Sequence, residues 1–331
     1  MSRTHLRNGK TARAWRAAST ASLLVLAFGM GSPASAQFDP YWERVYYGMT
    51  SNSLQMIYAG GVNGSMPALG DIDGDSDPDL FIGGDGTWPT FMRNDGTPYA
   101  PRWTFVAADY AFGLPGDSPS GASAVVLSDW DGDGLQDAIM GRGWEGITYH
   151  RNTGNAVVPQ WNSPPAVWLG PTFQNVRPAV VDIDGDSMPD LFVGYVNGTL
   201  KFWNHSEVGS SPSPFPATDT IDVGDDACPS FCDIDADGDY DLFVGNRIGR
   251  IQFFENTGTS STAQYILRND QFAGVQVDAR AAPAFSIATT SSTERFRRPT
   301  TLAPSCLMVI ASASLTDSGL SVWSFIRATR P

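Results

Sequence analysis

Short apolar runs alternate with clusters of turn residues along the chain, and the alternation recurs as a repeat. Four segments share one order: an apolar strand, an aspartate-rich loop, a second apolar strand, a turn, and a third, aromatic strand. The first strands read Pro67-Ala68-Leu69-Gly70, Ala124-Val125-Val126-Leu127, Pro178-Ala179-Val180-Val181 and Pro229-Ser230-Phe231-Cys232. The second strands read Leu80-Phe81-Ile82-Gly83, Ala138-Ile139-Met140-Gly141, Leu191-Phe192-Val193-Gly194 and Leu242-Phe243-Val244-Gly245. Continuous apolar runs of this length, bounded by turn residues, predict strands buried on both faces. Nowhere does a helical period persist, so the expected class is all-β.

A hairpin follows each second strand. Asn197-Gly198 is a strong short-range hairpin signal, with Thr199-Leu200-Lys201-Phe202-Trp203 as its returning strand. The returning strands lead to Asn94, Asn152, Asn204 and Asn256, and in three of them a glycine (Gly96, Gly154, Gly258) stands two residues later. Outer strands are expected at Trp103-Thr104-Phe105, at Trp161 and at Tyr265-Ile266-Leu267. The loops begin at Asp71, Asp129, Asp182 and Asp233, spacings of 58, 53 and 51 residues. That period suits a four-stranded blade and is too long for a leucine-rich or ankyrin unit. The fold expected over residues 37–286 is a β-propeller of four-stranded antiparallel blades.

Both ends depart from the repeat. Residues 41–59 read as an outer strand and a linker, a start that suits closure of the ring by strands from both termini. At the other end, 281–286 match the opening of a fifth repeat, yet no aspartate loop follows. Residues 287–331 are either a divergent closing segment or the product of a shifted reading frame near Ser286. With the leader removed, the chain is too short for seven such blades, so fewer than seven or an incomplete ring is expected.

Charge adds a compartment. The chain of 331 residues carries a net charge of −14, which disfavours a nucleic-acid partner because nothing offsets phosphate repulsion. Residues 1–36 hold five basic residues (Arg3, Arg7, Lys10, Arg13, Arg16) and no acid, then an apolar run from 21 to 30, then Ala34-Ser35-Ala36. This is the pattern of a secretory signal peptide cleaved before Gln37, and the apolar run is too short to span a bilayer. A secreted, cell-surface or periplasmic location is expected, with no membrane span. The three cysteines (Cys228, Cys232, Cys306) are an odd number for an oxidising compartment. Cys228 and Cys232 could pair only if Pro229 bends the chain, since an extended strand holds them too far apart, and no disulfide framework is expected.

The loops carry the candidate chemistry. Residues 71–79 present Asp71, Asp73, Asp75, Asp77 and Asp79, and residues 129–137 present Asp129, Asp131, Asp133 and Asp137. Residues 182–190 present Asp182, Asp184, Asp186 and Asp190; residues 233–241 present Asp233, Asp235, Asp237, Asp239 and Asp241. Carboxylates therefore recur at loop positions 1, 3, 5 and 9. Position 7 (Asp77, Leu135, Met188, Asp239) is variable, as expected of a backbone carbonyl ligand. The loops gather 18 of the chain's 35 acids, a crowding that repels itself without a cation. An all-oxygen donor set points to Ca2+, about one ion per loop and four in total, rather than to zinc or copper. An EF-hand is excluded, since position 12 is Ile82, Met140, Val193 or Val244 in place of its glutamate.

The loops, the strands that follow them and the period resemble FG-GAP/VCBS repeats, found in integrin α-chain propellers and many bacterial surface proteins. The resemblance covers roughly residues 41–286 and implies calcium held by the loop aspartates. One departure is Ser76 and Ser187 at loop position 6, where glycine, as at Gly134 and Gly238, is usual. The expected function is a binding or adhesion module for an extracellular protein or glycan. The alternative is a calcium-dependent carbohydrate-active enzyme such as a polysaccharide lyase. No catalytic residue is assigned: His150 and His205 read as repeat-position residues of the third strand. Trp88, Trp144 and Trp168 are candidate ligand contacts.

Overall fold

The computed structural model describes residues 65–287 apart from short stretches, together with the strands at 41–45, 306–311 and 324–329. The leader (1–36), the loop 118–121 and the Ser/Thr/Arg-rich run 289–298 lie outside the described residues. Strand β1 (Tyr41–Val45) comes first. The first blade holds β2 (Met66–Gly70), β3 (Asp79–Gly84), β4 (Thr87–Asn94) and β5 (Trp103–Ala107). The second holds β6 (Ser123–Ser128), β7 (Asp137–Arg142), β8 (Gly146–His150) and β9 (Ala166–Leu169). The third holds β10 (Arg177–Val181), β11 (Asp190–Gly194) and β12 (Leu200–Trp203); the fourth holds β13 (Cys228–Cys232), β14 (Asp241–Gly245), β15 (Ile251–Asn256) and β16 (Tyr265–Asn269). Each is an antiparallel sheet of consecutive strands, as the repeat predicts.

A further sheet joins the two ends of the chain. β17 (Ala282–Ile287), β18 (Cys306–Ala311) and β19 (Ser324–Thr329) follow one another, and β1 pairs with β19, Tyr41 opposite Thr329. The inner strands neighbour one another in the order β2, β6, β10, β13, β17 and back to β2. The ring is closed, and the protein is a β-propeller with almost no helix among the described residues.

A glycine at or next to the end of each second strand explains how blades stack. A Cβ on Gly83 would lie 1.9 Å from the Ser123 carbonyl oxygen of the next blade, and one on Gly141 would lie 2.1 Å from that of Val176. Gly194 meets Ala227 at 2.2 Å and Gly245 meets Ala281 at 2.0 Å. Only a residue without a side chain lets the neighbouring backbone approach so closely. The space between sheets is then filled by side chains of both: Phe192 packs on Phe231 (4.6 Å between ring centroids) and Phe243 on Phe285 (4.7 Å). Leu80, Ile139, Leu191 and Leu242 are fully buried, and loss of such a side chain typically costs about 2–5 kcal/mol.

Among the described residues the third blade shows three strands, and most of 210–220, which follows them, lies outside those residues. Two expectations are corrected. In the second blade Trp161 meets Asn152 in an isolated bridge, and the outer strand lies five residues later at β9. Cys232 is disulfide-bonded, contrary to the expectation of none, whereas Cys228 is a buried free thiol, so the two do not pair with each other.

Candidate metal centres

Each aspartate loop joins the first strand of a blade to the second, and all four share the bonds from position 6 to position 1 and from position 2 to the position-9 carboxylate. Both carboxylate oxygens of position 1 fold the loop: Asp71 accepts from Gly74 (2.7 Å) and Ser76 (2.9 Å), and Asp182 from Gly185 (2.8 Å) and Ser187 (2.9 Å). The position-6 N–H donates likewise to Asp129 from Gly134 (2.9 Å) and to Asp233 from Gly238 (3.2 Å). This turn needs a left-handed residue at position 6. Gly134 and Gly238 supply φ of 87° and 97°, and Ser76 and Ser187 adopt 74° and 72° despite the cost of a Cβ there.

Position 9 is a structural tie. Asp79, Asp137, Asp190 and Asp241 are buried at the start of the second strand. One oxygen of each accepts the position-2 N–H, from Ile72, Trp130, Ile183 or Ile234, at 3.1–3.2 Å. The other accepts a backbone N–H at the end of the third strand, from Asn94 (2.8 Å), Asn152 (2.7 Å), His205 (2.8 Å) or Asn256 (2.8 Å). The residue that completes the tie always stands 15 positions after the aspartate. In the third blade it is therefore His205, which corrects the sequence assignment of Asn204. His205 Nδ1 donates to the Pro189 carbonyl (2.9 Å), as Asn94 Nδ2 does to that of Pro78 (3.3 Å). Asn204 turns to the loop instead and donates to Asp184 at 2.6 Å.

The exchange removes a turn contact that the other three blades share. In the other blades the asparagine Oδ1 accepts two backbone N–H groups, from Gly96 and Arg102, from Gly154 and Gln160, or from Gly258 and Gln264. Those bonds pin the turn into the outer strand. An imidazole whose Nδ1 is committed offers no such oxygen, and the chain continues from His205 into a short 3-10 helix, His205–Glu207.

Carboxylates of positions 1, 3 and 9 converge in three loops: Asp71, Asp73 and Asp79; Asp129, Asp131 and Asp137; Asp182, Asp184 and Asp190. In the fourth, Asp233, Asp235 and Asp237 converge, so position 5 replaces position 9. Within each group the oxygens lie within 4.8 Å of one another. Asp75, Asp133, Asp186 and Asp241 stand outside these groups, and Asp77 and Asp239 are turned inward and buried. At Leu135 and Met188 it is the N–H that is engaged, donating to Asp133 (3.0 Å) and Asp186 (2.8 Å).

The donor set fits a hard cation. Asp73 Oδ1, Asp77 Oδ1, Asp129 Oδ1 and Asp239 Oδ1 are buried and accept no hydrogen bond, a costly state for anionic oxygens without a counter-charge. The same crowding raises the carboxyl pKa values. Burial first, then neighbouring aspartates, pushes Asp77 up to about 6 and Asp239 up to about 7. Burial raises Asp79 to about 7, Asp190 to about 6 and Asp241 to about 8, against the opposing pull of their backbone N–H donors. The four clusters are thus able to hold metal ions.

The other singled-out side chains separate clearly. Trp88 is buried, and Trp168 is packed against Trp130 (4.6 Å) and Tyr149 (4.7 Å). Trp144 alone of the three is exposed, at 54%. His150 is buried at the end of β8 and contacts Thr148 Oγ1 (3.0 Å) and the Phe112 carbonyl (3.3 Å). Among the described residues no helix is long and apolar enough to cross a membrane.

Comparison with known proteins agrees with the repeat. The FG-GAP-like repeat family matches residues 71–140 and 129–193. No curated protein sequence matches the chain. A GH62 hydrolase solved with xylotriose shares 13% identity over 81% of this chain and 91% of its own, with a TM-score of 0.48. An α-L-arabinofuranosidase from Podospora anserina, solved with cellotriose, gives 14%, 82%, 92% and 0.47. A lectin from Agrocybe aegerita that recognises non-reducing terminal N-acetylglucosamine gives 15%, 78%, 69% and 0.38. None of these likenesses is strong enough to carry fold or function across. Residues 71–193 thus carry FG-GAP-like repeats, and the sheets that contain them are blades of a propeller.

Proposed function

We propose that the chain is an exported, calcium-stabilised binding module. The buried, unpartnered carboxylate oxygens of the aspartate loops carry this reading. Oxygen-only donors in a flexible loop suit Ca2+ better than Mg2+, which keeps more of its water. The basic leader and the disulfide at Cys232 support an oxidising destination. The ions serve the fold first, since a ligand of the native state alone stabilises it by mass action.

Recognition falls to the other end of the strands. The turns between second and third strands expose Trp144 at 54%, Val196 at 37% and Ile248 at 59%, from three successive blades. An exposed aromatic among turns suits contact with a protein or with the apolar face of a sugar ring.

Thermal unfolding in excess calcium and then in excess EDTA tests the metal. A large rise in melting temperature with calcium is expected, and identical transitions would refute it. A glycan and protein array tests the partner: retention without turnover supports a binding module, whereas released sugar fragments would establish the carbohydrate-active alternative.

A further inference from the structure

The four loops are alike in backbone but not in the side chain that overlooks them. The residue just before the tie, at the end of the third strand, is Arg93, Arg151, Asn204 or Glu255 in successive blades. Arg151 sits on its loop: Nε contacts Asp131 Oδ2 at 2.5 Å and Nη2 contacts Asp133 Oδ2 at 3.1 Å. Asn204 places a neutral amide on Asp184. Glu255 adds a carboxylate at the corresponding position, ion-paired to Arg268 on the outer strand.

Arg93 shows why the second loop is singular. It too has a guanidinium beside its loop, yet it approaches Asp73 only to 4.0 Å and gives its short contact, 2.7 Å, to Asp95. The residue that corresponds to Asp95 in the second blade is the neutral Thr153. With no carboxylate there to draw it away, Arg151 turns onto the loop and engages Asp131 of the converging group and the neighbouring Asp133. The second loop also has four aspartates where the first and fourth have five.

We propose that the residue preceding the tie grades the four cation sites, and that Arg151 makes the second loop the weak, exchangeable one. A guanidinium on Asp131 and Asp133 is a resident cation, so an arriving Ca2+ meets less negative charge and two oxygens already engaged. The first loop escapes this because Asp95 holds Arg93 aside. This inference rests on the reading that the loops bind calcium.

The second loop carries its own probe. Trp130, at loop position 2 and buried, is the only tryptophan in the four loops. Terbium, a luminescent stand-in for calcium, is excited through a nearby indole, so the part of the tryptophan-sensitised emission that Asp131→Ala abolishes follows the second loop. Calcium titration of the full mature chain by calorimetry is expected to show one class weaker than the rest, matching the terbium site. In Arg151→Gln that class should tighten about tenfold at low salt, the scale of one unit charge at contact in a half-exposed site. Arg151→Lys, which keeps the charge, should leave it weak. In Asp95→Asn, Arg93 is released and a second weak class should appear. Four equal sites in the unmodified chain, or an unchanged weak class in Arg151→Gln, would overturn the grading alone. No calcium uptake by any loop would overturn the metal reading itself.

Discussion

The backbone N–H of His205 donates to Asp190 at 2.8 Å, in the place that asparagine holds in the other three blades. The imidazole also stacks on Trp130 of the preceding blade, with centroids 4.4 Å apart. One residue thus ties its own loop and leans on its neighbour's. His205→Ala should cost about 1–2 kcal/mol through the lost Pro189 bond and ring contact. Asn204→Ala should stay within about 0.5 kcal/mol, as befits a side chain outside the tie. Urea denaturation of the two variants checks the assignment; a larger loss from Asn204→Ala would reverse it.

Positions 9 and 3 of a loop should separate under EDTA. Asp137 accepts backbone N–H groups from Trp130 and Asn152 and the Tyr149 hydroxyl. Asp137→Ala strands those donors and should destabilise the fold by about 3 kcal/mol in both calcium and EDTA. Asp131→Ala removes a ligand at a more exposed position and should lower the melting temperature in calcium only. Equal behaviour of the two variants would show that position 9 is no scaffold.

Stability should run in opposite directions with pH in the two media. The folded carboxyls of Asp79, Asp190 and Asp241 titrate at about 7, 6 and 8, above the ordinary 3.8. Without metal, the folded state therefore binds protons that the unfolded state does not, and stability rises as pH falls from about 8 toward 6. With calcium bound, protons compete with the ion, and stability falls over the same range. Melting curves at three pH values in each medium decide it, and parallel trends would refute it.

Gly245→Ala should be among the most damaging single-methyl changes, because the new Cβ lies 2.0 Å from the Ala281 carbonyl oxygen. A loss of about 3 kcal/mol is expected from the forced separation of two blades. Gly170→Ala, where nothing lies within 4 Å, is the control and should be near neutral. Circular dichroism melts of both variants give the comparison.

Strands and loops were legible because each repeat states them again, so a pattern too weak in one copy is clear in four. His205 was hidden because matching by residue type favours Asn204, whereas a count of 15 from the last aspartate finds the tie. The role of Gly83 was out of reach for a different reason. Its partner, Ser123, is 40 residues away in another blade, and no local pattern encodes that meeting. Arg151 lies on Asp131 and Asp133 while Arg93 lies on Asp95, and no residue pattern states which carboxylate a guanidinium takes.

The pairing of β1 with β19 sets the timetable of folding. A ring fastened like a belt, with its buckle made from both ends, stays open until the last strand is synthesised. The middle blades are free to form early, each from neighbouring stretches of chain. The earliest strand has to wait, its edge bare, for a partner almost three hundred residues behind it. Removing a handful of residues from the far end would therefore be felt first at the beginning.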